Sequence, residues 1–152
     1  MPRKTALVLS LAGAAFAGAC QGPPVVPTPL PQTGVFAQIA LQGGAVERAI
    51  SGDAGCPDPR QAPYAIHVVV RMPATAPTTT DVYLFTYADD AAWKREEQAF
   101  ETCRAEYAAG PDAAGRAVPH LDVSPYRAFG PGWIPEVEQA LNRALEKSAA
   151  GG

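Results

Sequence analysis

The residues of this chain best equipped for chemistry are three cysteines, two histidines and a few carboxylates. Cys20, Cys56 and Cys103 are widely spaced, with no Cys-x-x-Cys pair of the kind that runs thiol exchange. His67 and His120 are the only histidines, and His120 stands two residues before Asp122, which puts both on one face of a strand. That dyad is the best-placed pair for acid–base work. A zinc site needs three or four ligands at recognisable spacing, such as His-Glu-x-x-His, and no second close pair is present, so ordinary surface histidines and no metal are expected. Ser51 and Ser124 are the candidate nucleophiles, but neither lies in a Gly-x-Ser-x-Gly elbow, and no catalytic residue or cofactor is assigned. Asp89, Asp90, Glu96, Glu97 and Glu101 resemble a carboxylate cluster only in one dimension. A helix gives the aspartates a capping role, leaves Glu97 and Glu101 on its surface with Arg104 three residues from Glu101, and sets Glu96 at the rim of its buried stripe. Tyr126, Phe129 and Trp133, among Gly130, Pro131 and Gly132, form a candidate aromatic binding loop or else a plug for the end of the core.

The N-terminus carries an address. Arg3 and Lys4 precede the apolar run Ala6 to Phe16 and the small residues Ala17, Gly18 and Ala19, the order of a secretory signal. The run is about half of the ~20 residues a helix needs to cross a bilayer. Ala17-Gly18-Ala19-Cys20 resembles the lipobox of bacterial lipoproteins, with Ala17 where Leu is commonest. The resemblance covers residues 1–20 and implies that 1–19 is a signal peptide, that Cys20 receives a diacylglyceryl thioether, and that a membrane is the first partner. In a Gram-negative cell Gln21 implies sorting to the periplasmic face of the outer membrane. Ala17-x-Ala19 also fits ordinary signal cleavage, which would leave Cys20 as an odd thiol in an oxidising compartment. Lipidation instead leaves an even pair, and export then makes a Cys56–Cys103 disulfide the natural expectation. Gln21 to Thr33 holds five prolines and no charge, a polyproline tether able to span on the order of 40 Å.

The 152 residues, less the export segment, leave room for one ordinary domain over residues 34–148. Hydrophobic residues make up 47% and charged ones 18%, enough to build a core, and the 14 glycines and 16 prolines belong mainly to the tether and turns. Net charge is −3 and falls by a further two without Arg3 and Lys4, which argues against nucleic acid as a partner.

The elements that must position the reactive residues follow from periodicity. Val35, Ala37 and Ile39 alternate in an expected strand over 35–41, Gly43-Gly44 is a turn, and 45–50 suits either a strand or a short helix. Residues 51–63 are a loop. Tyr64 to Met72 reads as a strand with Tyr64, Ile66, Val68, Val70 and Met72 facing inward, and after a Pro/Thr loop Val82 to Tyr87 reads as a central strand because both faces are apolar. A helix follows from an Asp89 or Asp90 cap to Ala109, with Trp93, Phe100, Cys103 and Tyr107 on one stripe and Gly110-Pro111 as its stop. Val118 to Ser124 is a strand, 126–132 a loop, and Pro135 to Lys147 a closing helix with Val137, Ala140, Leu141, Ala144, Leu145 and Ser148 inside.

This order predicts an α+β fold, a two-layer sandwich in which a small, mostly antiparallel sheet carries two helices on one face. The functional expectation is a non-enzymatic, lipid-anchored envelope domain that binds or assembles with another envelope component. The alternatives are a periplasmic enzyme using His120 and Asp122, and a cell-wall glycan binder using Tyr126 and Trp133.

Overall fold

The computed structural model describes residues 31–152. The export segment 1–19, Cys20 and the tether as far as residue 30 lie outside the described residues. Where a strand is expected from Val35, the chain forms helix α1 (Gln32–Leu41), which also takes in Gln32 and Thr33 from the expected tether. Val35 and Ile39 are 1% and 2% exposed, whereas Ala37, the third member of the alternating set, is exposed. Strand and helix periods both put 35 and 39 on one face, so the choice fell to tertiary packing, and a partner helix was available. Gly43-Gly44 is the C-terminal lock of α1. Gly43 N–H donates to Ala40 O (2.9 Å) and Gly44 N–H to Ile39 O (3.0 Å), with Gly43 at φ +83°, a Schellman motif that favours glycine.

A five-stranded sheet follows, all of its pairs antiparallel, in the order β1 (Ala45–Ser51), β2 (Ala65–Arg71), β3 (Thr80–Thr86), β5 (Tyr126–Phe129), β4 (His120–Val123). The open choice over 45–50 resolves as a strand, and β3 is central as expected. Tyr126 to Phe129, expected in a loop, is instead the strand between β3 and β4. Tyr-Arg-Ala-Phe shows no alternation of apolar and polar residues because all four side chains are buried.

Helices cover both faces. Ile66, Val68, Val70, Val82, Leu84 and Ala128 face α1 and α4 (Pro135–Ala149), while Ala65, Tyr83, Phe85 and Phe129 face α2 (Asp90–Arg95) and α3 (Glu97–Ala109). The α+β sandwich is thus the architecture observed, and one face does carry two helices, α1 and α4. The helix expected over 89–109 covers the opposite face, because β2, β3 and β5 present apolar side chains on both sides and each side needs a lid. It is interrupted only at Glu96, and its cap is Asp89, whose carboxylate accepts from Ala92 N–H (2.7 Å). All six expected inner residues of α4 are buried. Among the described residues no helix is long and apolar enough to cross a membrane.

Candidate functional site

Sheet register sets the site. β2 pairs His67 directly with Tyr83 of β3, so the imidazole stacks on the phenol with centroids 4.4 Å apart and planes 15° from parallel. Loop residue Asp53 and β3 residue Asp81 then close on the ring from either side. His67 Nδ1 lies 3.0 Å from Asp53 Oδ2 and Nε2 lies 2.9 Å from Asp81 Oδ1. An imidazolium donates to both carboxylates at once, whereas the neutral ring has one N–H to give. Expected at the surface, His67 is only 8% exposed.

Four residues dock the loop that supplies Asp53. Asp53 Oδ1 accepts from Gly55 N–H (3.0 Å), and Ala54 is buried. Gly55, at φ +70°, lies flat against Tyr83, where a Cβ would stand 2.8 Å from the ring. Cys56 then reaches Cys103 of α3, with Cα atoms 5.2 Å apart and sulfurs at disulfide distance. Burial pushes the Tyr83 hydroxyl above the usual tyrosine range, and the adjacent Tyr107 and the two carboxylates act the same way. Asp81 also borders a cleft of about 510 Å³ between the Pro/Thr loop and the connection into α4, whose walls include Arg116 and Ile134. Its backbone carbonyl accepts from Trp133 Nε1 (2.9 Å), which ties that connection to β3.

A second cluster stands at the β4 edge of the same face. His120 and Asp122 do share a strand face, with His120 Nε2 3.4 Å from Asp122 Oδ2, and Glu101 of α3 brings its Oε1 to 3.9 Å from the same nitrogen. The expected Glu101–Arg104 pair forms at 2.6 Å. Asp122 is held by Arg127 Nε at 2.6 Å, and Arg127 is 1% exposed. That guanidinium also donates to Trp93 O (2.7 Å) and lies 4.2 Å over the Trp93 ring.

The remaining sequence candidates separate. Tyr126, Phe129 and Trp133 are 0%, 0% and 8% exposed, so the candidate binding loop is core: β5 buries the first two and Asp81 engages the third. Ser124 donates to Asp90 Oδ1 (3.0 Å), and Ser51 ends the edge strand β1. Asp53 and Asp81 carry no sequence signal, since both fall in or beside segments that read as loops. No protein-family model, curated protein or solved structure matches this chain.

Proposed function

We propose that this chain is a lipid-anchored domain of the bacterial envelope that acts by binding another envelope protein. The observation that carries the reading is the Cys56–Cys103 pair at disulfide distance, which suits an oxidising compartment and leaves Cys20 as the single cysteine for the lipid. Binding is favoured over a His120–Asp122 enzyme because His120 Nε2 stands 3.4 Å from Asp122 Oδ2, beyond the reach of a tight catalytic hydrogen bond, and Arg127 holds the other oxygen of Asp122. The cleft beside Asp81, with exposed Ile134 on its wall, offers a partner an apolar contact between charged groups.

Growth with a clickable fatty-acid analogue tests the anchor. Wild-type protein takes up label and sediments with membranes, and Cys20→Ser does neither; an unlabelled, soluble wild-type protein contradicts anchoring. A photo-crosslinker placed at Ile134 in membrane-bound protein tests the binding role. One discrete protein adduct is expected, and a labelled protein that gives no adduct contradicts it.

A further inference from the structure

The cluster at the β4 edge plays no part in that proposal and does not depend on it. Glu101, His120 and Asp122 each offer a ligand atom within 4.8 Å of those of the other two, with His120 Nε2 3.9 Å from Glu101 Oε1 and 3.4 Å from Asp122 Oδ2, on partly exposed side chains that solvent reaches. Two features separate this group from a surface ion pair. Neither carboxylate closes on the imidazole to the ~2.8 Å of a charge-assisted hydrogen bond. The gaps of 3.4 and 3.9 Å are instead close to the roughly 3.3 Å that separates donors bound about 2.0 Å from a tetrahedral zinc ion.

The second feature is orientation. Each carboxylate has its other oxygen held by an arginine, Glu101 Oε2 by Arg104 and Asp122 Oδ1 by Arg127, both at 2.6 Å. Arg127 is itself immobilised by burial, by Trp93 O and by the Trp93 ring. Each acid is therefore turned with one oxygen toward the imidazole, as outer partners orient the ligands of a metal centre.

We propose that Glu101, His120 and Asp122 form an open three-ligand site for Zn²⁺, with water completing the coordination. One imidazole with two carboxylates suits zinc better than magnesium or calcium, which take all-oxygen shells. The arginines share the carboxylate charge, so they weaken the site relative to a closed structural one while fixing its geometry.

The test uses the full chain without a histidine tag, dialysed against Zn²⁺ alone, with Co²⁺ absorption as an independent readout. One ion per chain is expected, and Co²⁺ added to the metal-free chain gives visible ligand-field bands that Zn²⁺ abolishes. His120→Ala weakens binding by at least about tenfold while the metal-free circular dichroism spectrum is unchanged. Glu101→Gln, which keeps an oxygen for Arg104, weakens it as well and serves if His120→Ala does not fold. Absence of saturable binding overturns the proposal. So does one-ion binding that the two folded variants leave intact, because the ion would then sit elsewhere, as at His67 with Asp53 and Asp81.

Discussion

His67 receives its two carboxylates from positions fourteen residues before and fourteen residues after it, so one imidazole ties a loop and a neighbouring strand to β2. Removing the ring leaves two acids facing one gap and strips Tyr83 of its stacking partner. His67→Ala is expected to lose about 2 kcal/mol in urea unfolding, below the cost of breaking a fully buried pair because both aspartates are partly exposed. A loss within about 0.3 kcal/mol would mean that the clamp is ornamental. Arg127 sits deeper. Its fork reaches Asp122 and Trp93 O together, and a lysine point charge in the same place reaches one of them. Arg127→Lys is therefore expected to lose about 2 kcal/mol by the same measurement, with altered Trp93 fluorescence.

At the scale of elements, Gly130 marks where β5 turns toward α4. A Cβ there would collide with the Asp81 carbonyl and stand 2.5 Å from Trp133 Nε1, the two groups whose hydrogen bond ties that connection to β3. Gly130→Ala is expected to cost roughly 3 kcal/mol and to shift Trp133 emission to the red, whereas Gly52→Ala, with open space around its Cβ but φ +82°, costs about 1 kcal/mol. Thermal melts of the two variants provide the comparison.

The same scale shows what could be read in advance. The start and inner face of α4 were legible because its apolar positions follow a 3.6 period and Pro135 marks its first turn, although the helix runs two residues past the expected end at Lys147. α1 was not, since Val35 and Ile39 satisfy both periods and only contact with α4 decides between them. β5 was hidden by burial on both faces, which erases alternation, and by an arginine whose charge is neutralised only in the folded chain. The Glu101–Arg104 pair was visible as a helical spacing, but its neighbour His120 required the placement of α3 over β4. Asp53 and Asp81 depend on loop docking, which no local pattern encodes.

Over the whole molecule, covalent and ionisation effects dominate the expected responses. A link between Cys56 and Cys103 closes a span of 47 residues, for which chain entropy gives roughly 4 kcal/mol. Reduction is expected to lower the melting temperature, and Cys56→Ala to reproduce most of that loss; identical melts with and without reductant would contradict the staple. Alkali acts through buried tyrosines. Burial pushes Tyr87 up to about 12, with Arg127 opposing the shift only in part, and Tyr83, Tyr107 and Tyr126 move the same way. The unfolded chain loses its tyrosine protons first, near pH 10, so this stability is complete below that pH and drains away as pH rises through the folded-state values. Unfolding free energies from urea titrations are expected to fall between about pH 9 and about pH 12, by on the order of 2 kcal/mol from Tyr87 alone, and Tyr87→Phe should flatten part of that fall.

The proposed export and anchoring meet the folded domain in the fate of the three cysteines, and mass spectrometry of non-reduced protein isolated from its native cell reads all three at once. The predicted result is an N-terminal peptide that begins at Cys20 and carries a diacylglyceryl group, together with a peptide pair joined through Cys56 and Cys103. A chain still beginning at Met1, an unmodified Cys20, or alkylatable thiols at Cys56 and Cys103 would contradict the account.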